Sequence, residues 1–245
     1  GIALTPLDRR VERNKRDYRH VAVEFARAER LATVTLRGPH QPPPANVEAM
    51  TAEGASFWPL ALARELDDAI LDIRTNEFEI ATIVFKSSGE AAAVLAYDEF
   101  LDRHKAHWLA REIRLKWKRV LKRVDLTSRS LVALIEPGSC FAGTLAELIF
   151  AADRSYMLIG SLGGDNQPPA AIALAEANFR GGEFLVGNRY SLADLTLGVA
   201  LQYVDFRYPH DWRAASPKVA AWHAVIAARP AFVKTLPPGF TPPGN

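Results

Sequence analysis

At 245 residues and 27.0 kDa, the chain has room for one large domain or two small ones. Its 49% hydrophobic and 24% charged residues are ordinary for a globular protein and exclude the disordered, collagenous and coiled-coil classes. No run approaches the roughly 18 apolar residues of a membrane span, a net charge of +2 is too small to point to nucleic acid, and the single cysteine, Cys140, leaves no intramolecular disulfide and no CxxC or Cys/His zinc spacing. A reducing cytoplasm is the expected compartment. The opening Gly1-Ile2-Ala3-Leu4-Thr5-Pro6 lacks the basic region and apolar core of a secretory leader, and without an initial Met the chain reads as an internal piece of a longer one.

The first predicted element is a hairpin, because His20 to Phe25 and Leu31 to Leu36 both carry apolar residues at every second position, with Arg27 to Arg30 between them. Pro42-Pro43-Pro44 is a stiff extended spacer, and Leu60, Leu62, Leu66, Ile70 and Ile73 then mark a helix ending near Arg74. Ile80 to Phe85 is a continuous apolar run closed by Ser87-Ser88-Gly89, the pattern of a buried strand. One long helix is expected from Asp98 to Asp125, with Ile113, Trp117, Val120, Leu121 and Val124 at three- and four-residue steps.

Next come a short strand from Ser130 to Ile135, a glycine-bounded turn from Gly138 to Gly143, and a helix from Leu145 to Ala152 closed by Asp153-Arg154. Strand, small-residue turn and helix together leave backbone N–H groups pointing outward at a helix N-terminus. Tyr156 to Ile159 reads as another strand, and Gly160 to Pro169 as a loop. Past Gly181-Gly182 the texture becomes helical only. Ser191-Leu192-Ala193-Asp194 is a capping box with Tyr190 placed to staple onto Leu195, and Ser216-Pro217 starts a second helix that ends at Arg229-Pro230. Pro237-Pro238 and Pro242-Pro243 predict an extended tail.

Residues 1 to about 179 resemble the crotonase (enoyl-CoA hydratase) superfamily, and within it the second crotonase-like half of the 2,3-epoxybenzoyl-CoA dihydrolases, also called benzoyl-CoA-dihydrodiol lyases. The residues that carry the likeness are Phe57 to Arg64, Leu66 to Leu71, Arg74 to Glu77, His104 to Leu109 and, above all, Ser128 to Leu158 with Ile135-Glu136-Pro137-Gly138-Ser139-Cys140-Phe141-Ala142-Gly143-Thr144. Residues from about 181 to 238 resemble instead the C-terminal helical part of a glutathione S-transferase, through Phe184 to Gly187, Tyr190 to Leu195, Asp211 to Ala215 and Ser216 to Arg229-Pro230. Nothing upstream resembles the thioredoxin-like domain with which a transferase binds glutathione. The expected fold class is therefore α/β: an incomplete crotonase-like spiral of strand-strand-helix units over 1–179, followed by a short, incomplete, all-helical transferase-like segment over 181–245.

The crotonase resemblance implies acyl-CoA substrates, no separate cofactor beyond the coenzyme A of the substrate, and an oxyanion hole of two backbone amides. In that family the catalytic turn carries three small residues, which counting back from Asp153 places at Gly143, Thr144 and Leu145; Thr144 is the expected amide donor, and the second amide is expected near Leu95 or Ala96. Glu147 and Glu176 fall where hydratases place their two carboxylates, an acid/base pair able to add water to a CoA-activated ring. The implied activity is water addition to 2,3-epoxybenzoyl-CoA and cleavage of its ring with loss of formate. The alternatives are a catalytically silent crotonase-like scaffold and a glutathione S-transferase relative.

Arg111, Arg114, Lys116, Lys118, Arg119, Lys122 and Arg123 concentrate positive charge on one helix, where Arg111 and Lys118 are candidates for the CoA phosphates; the competing explanation is a solvated face opposite Ile113 and Trp117. His104 and His107 share a predicted helix face, but no third ligand is evident and no metal is expected. Cys140 reads as a small buried residue of the turn. The expected partner is an acyl-CoA, with a homo-oligomer left open and neither nucleic acid nor a membrane anticipated.

Overall fold

A computed structural model describes residues 1–158, 184, 190, 192–207, 212–214 and 216–241. The chain divides into two compact units, Gly1–Ala173 and Leu174–Asn245.

The first unit is built on a seven-stranded sheet whose spatial order follows the sequence: β1 (Arg10–Glu12), β2 (Lys15–Asp17), β3 (Val21–Ala26), β4 (Leu31–Arg37), β5 (Thr82–Ser88), β6 (Ser130–Ile135) and β7 (Arg154–Met157). β1 to β4 are antiparallel neighbours, so short turns join them, whereas β4 to β7 pair in parallel and each step needs a helical crossover. α1 (Val47–Glu53) and α2 (Trp58–Asn76) lie between β4 and β5, α3 (Ala91–Arg103) and α4 (Trp108–Asp125) between β5 and β6, and α5 (Gly143–Ala151) between β6 and β7.

The period-two pattern decides which face is covered. Ala32, Val34 and Leu36 of β4 are fully buried, while Leu31, Thr33, Thr35 and Arg37 are half-buried on the other face. Register sets Val34 beside Val23 of β3 and Phe85 of β5, and Phe85 beside Ala133 of β6, so one apolar row runs across the sheet. Leu62, Leu66, Ile70 and Ile73 of α2 and Ile113, Trp117, Val120 and Val124 of α4 join these residues in one core, each large side chain worth about 1.5–3 kcal/mol on burial. Trp117 donates its indole N–H to the Pro59 carbonyl at 3.0 Å, fixing α4 along α2.

The hairpin, the buried strand after α2, the Ser130–Ile135 strand and the short helix after the turn all form where the sequence places them. The single helix expected from Asp98 to Asp125 is instead two, α3 and α4, separated by a turn in which the His107 N–H bonds the His104 carbonyl at 2.8 Å. The reason lies in packing. α3 packs on α5, whereas α4 packs chiefly along α2 as well as on α5, so the face of Ile113, Trp117 and Val120 must meet α2, which the face of Val94, Leu95, Phe100 and Leu101 does not, and the chain turns between them. His104 and His107 therefore flank a break and do not share a helix face.

β1, β2 and α1 form where the sequence shows no periodic apolar pattern. α1 starts at Asn46, whose side chain accepts the Ala49 N–H at 2.9 Å. β2 is a strand of charged residues held by tertiary ion pairs: Arg16, buried, bonds Asp72 at 2.8 Å and Glu77 at 2.7 Å, with its guanidinium 5.0 Å from the Phe25 ring centroid. A buried ion pair of this kind is strongly destabilising to break from one side.

The second unit is helical, as the change of texture predicts: α6 (Leu192–Arg207), α7 (Pro217–Ala227) and α8 (Pro230–Lys234), the last of these beyond the expected elements. Trp212, Val219, Trp222, Ile226 and Phe232 form its own core. Asp205 accepts from the Trp212 indole at 3.0 Å and from Arg213 at 2.7 Å and 2.9 Å. Asp194 of the expected capping box is buried in the first turn of α6, whereas Ser191 lies outside the described residues. Tyr190 has its ring under the Arg229 guanidinium at 4.1 Å and edge-on to Phe184, while Leu195, its expected staple, is 39% exposed.

Candidate functional site

Parallel strands bring their carboxyl ends to one edge, and in open α/β sheets that edge is where ligands bind. Here Gly38 and Gly89 directly follow β4 and β5, Gly138 lies in the turn after β6, and the loops are stitched together: the Gly38 N–H bonds the Ser88 carbonyl at 2.8 Å and the Gly89 N–H bonds the Gly138 carbonyl at 3.0 Å. Gly89 has φ +137°, and a Cβ there would meet the Gly38 backbone at 3.1 Å, so the close approach and the conformation both call for glycine. A cavity of about 400 Å³ opens at this edge, lined among others by Thr35, Lys86, Ser88, Glu90 and Glu136. Lys86 pairs with Glu136 across it at 2.8 Å.

Cys140 is buried beneath the loops, its N–H on the Ser87 hydroxyl at 3.0 Å, and burial pushes its thiol pKa up, which disfavours a thiolate nucleophile. The chain then passes through buried Phe141 and Ala142 into α5, whose N-cap residue, Ala142, has no side-chain acceptor to offer. The acceptor comes from another helix. Asp98 of α3 takes the Thr144 N–H on Oδ2 at 2.6 Å and the Thr144 hydroxyl on Oδ1 at 2.7 Å, an anion at the positive end of α5.

Glu147 follows Thr144 by three residues and so shares its face of α5. Its side chain is exposed, yet its carboxyl group is held above the usual range, first by desolvation and second by the negative charge of Asp98. Asp98 is itself raised by desolvation, against the two Thr144 bonds and the charge of Arg114, which lower it. The fold thus gathers two carboxyl groups of raised proton affinity around the first turn of α5.

Of the residues expected from sequence, Gly143, Thr144 and Glu147 lie together on α5, and Leu95 reaches the same place, its Cδ2 3.4 Å from where a Gly143 Cβ would stand. The Leu95 and Ala96 amides fall in the second turn of α3, where the helix ladder uses them. Arg111 and Lys118 are exposed on α4; Lys116 and Arg123, from the same basic run, turn inward to Asp67 of α2. Glu176 lies outside the described residues. Among the described residues, no group of three or more His, Cys, Asp or Glu is placed to hold a metal ion, and no helix is long and apolar enough to cross a membrane. The residue that sequence reasoning missed is Asp98. Its only signal is a charge in an otherwise apolar turn, Leu95-Ala96-Tyr97-Asp98, and its partner is 46 residues away.

Two stretches of the chain are similar to known proteins. The model of the glutathione S-transferase C-terminal domain matches residues 169–224. A benzoyl-CoA-dihydrodiol lyase of Aromatoleum evansii is 44% identical over 158 residues, which is 64% of this chain and 28% of that protein. Among solved structures, an enoyl-CoA hydratase of Geobacillus kaustophilus superposes with a TM-score of 0.37 at 16% identity, covering 58% of this chain and 46% of its own. Pseudomonas aeruginosa AtuE gives 0.35 at 16% identity, over 56% of this chain and 46% of its own. The chain spans less than half the length of each of these relatives. It therefore joins a long stretch similar to a benzoyl-CoA-dihydrodiol lyase to a match with the glutathione S-transferase C-terminal domain.

Proposed function

We propose that the chain acts on, or binds, an aromatic acyl-CoA in cytoplasmic aromatic-acid degradation, in the manner of 2,3-epoxybenzoyl-CoA ring hydrolysis and cleavage. The 44% identity over 158 residues to a benzoyl-CoA-dihydrodiol lyase carries this reading. In it Glu147, with its raised proton affinity, is the proton donor to the ring oxygen, Glu176 activates water, and Thr144 offers its amide to the thioester oxygen. Gly143 and Leu95 shape the turn around that oxygen, and Arg111 and Lys118 meet the CoA phosphates. Coenzyme A enters as part of the substrate, and no further cofactor is required.

A second reading, a silent crotonase-like scaffold, is favoured by a specific observation: the Thr144 N–H is taken by Asp98, and the Leu95 and Ala96 amides sit within α3. Calorimetry with benzoyl-CoA and glutathione, followed by turnover of 2,3-epoxybenzoyl-CoA, tests both readings. CoA-ester binding with turnover supports the first, and binding without turnover the second. Micromolar binding of glutathione with no response to the CoA ester overturns both in favour of a transferase relative.

A further inference from the structure

We infer that Asp98 is a built-in occupant of the start of α5, so that an acyl oxygen reaches the Thr144 amide only by displacing the Asp98 carboxylate. The inference rests on the proposed use of that amide. Asp98 makes a bidentate contact, one oxygen on the N–H at 2.6 Å and the other on the hydroxyl at 2.7 Å, so a single residue takes both donors of Thr144. The space is also built for it. A Cβ on Gly143 would lie 1.9 Å from Asp98 Oδ2 and 3.0 Å from its Cγ, so the turn holds this carboxylate only because residue 143 has no side chain.

α3 cannot easily back away, since Val94, Leu95, Tyr97, Phe100 and Leu101 on either side of Asp98 are buried in the core. Opening therefore falls to side-chain rotation of Asp98. A carboxylate on a backbone N–H is a charge-assisted bond, roughly twice as strong as one from a neutral acyl oxygen. The resting state is consequently closed. The charged groups around this contact are Glu147 on α5 and Arg114 on α4, and Arg114 lies 3.5 Å from Asp102 one helical turn beyond Asp98. With Asp98 in place, a CoA ester is held by its CoA portion alone and its carbonyl contributes nothing.

Calorimetry of the full chain with CoA and with benzoyl-CoA decides this, using the unaltered protein, Asp98→Ala and Asp98→Asn. The unaltered protein should bind the two ligands within about threefold of each other. Asp98→Ala should tighten benzoyl-CoA by about tenfold and leave CoA unchanged, the worth of one hydrogen bond at the upper end of its usual range. Asp98→Asn keeps the shape and a weaker acceptor, so it should give a smaller gain in the same direction, and it supplies the reading if Asp98→Ala does not fold. Equal binding of CoA and benzoyl-CoA by the unaltered protein and by both variants overturns the inference and leaves the proposed CoA binding standing. Benzoyl-CoA binding at least tenfold tighter than CoA in the unaltered protein also overturns it. No binding of either ligand by any of the three proteins overturns both.

Discussion

Gly143 and Asp98, on different helices and 45 residues apart, are in such close approach that a methyl group on one would stand 1.9 Å from a carboxylate oxygen of the other. Gly143 also has φ +49°, where a side chain adds strain of about 1–2 kcal/mol. Gly143→Ala should therefore combine that strain with loss of the Asp98 cap, itself worth about 0.5–2 kcal/mol, for a total near 2–3 kcal/mol in urea unfolding. In an Asp98→Ala background the same substitution should show the strain alone. Equal costs in the two backgrounds would show that the residues are not coupled.

Glu147 should make the protein less stable as pH rises. Its folded-state proton affinity is raised by desolvation and then by Asp98, so the stabilising protonated form is fully present in acid and is lost as pH climbs through the folded value. Glu147→Gln should accordingly unfold at higher urea than the unaltered protein near neutrality, with the gap closing in acid. Asp98→Asn should bring the Glu147 titration, followed by carboxyl ¹³C NMR, back toward the ordinary range.

His20 works in the opposite sense. Burial, followed by the charges of Arg19, Arg37 and His40, lowers its pKa to about 4, and its buried Nε2 has no hydrogen-bond partner among the described residues. The unfolded chain then binds a proton that the folded chain refuses, so stability is full above the ordinary histidine value and falls as pH drops toward about 4. His20→Gln should flatten the loss of unfolding midpoint across that window. A variant that tracks the unaltered protein throughout would place the acid sensitivity elsewhere.

Gly198 of α6 tests the second unit. In an exposed helix interior, Gly→Ala gains about 0.5–1 kcal/mol. Here a Cβ would meet the buried Phe232 ring at 2.8 Å and Ile226 Cγ2 at 3.0 Å, and overpacking of about 1–3 kcal/mol should win. Hydrogen exchange of α7 and α8 should accelerate in Gly198→Ala while the amides of β4 to β6 keep their protection; a slowed α7 would mean that the ring gives way at little cost.

The sequence by itself determined the elements whose signal is local. Val21, Val23 and Phe25 of β3 and Ala32, Val34 and Leu36 of β4 recur at every second position and are buried on one face of the hairpin, and the Leu62-to-Ile73 stripe needs no knowledge of its partner. The glycine-bounded turn before α5 and its similarity to CoA-ester enzymes were equally legible, since a turn and a motif are contiguous in the chain. Tertiary structure alone decided what depends on residues far apart. β2 exists because Arg16 finds Asp72 and Glu77, 56 and 61 residues away, a pairing that no periodicity encodes. The helix expected through His104 breaks there because its second half must also lie along α2, which its first half does not. At the candidate site the sequence supplied Gly143, Thr144 and Glu147, but hydrogen bonding through space supplied Asp98. Whether the Thr144 amide is free or filled is a property of α3 meeting α5, and it is set by side-chain packing that the order of residues along either helix does not reveal.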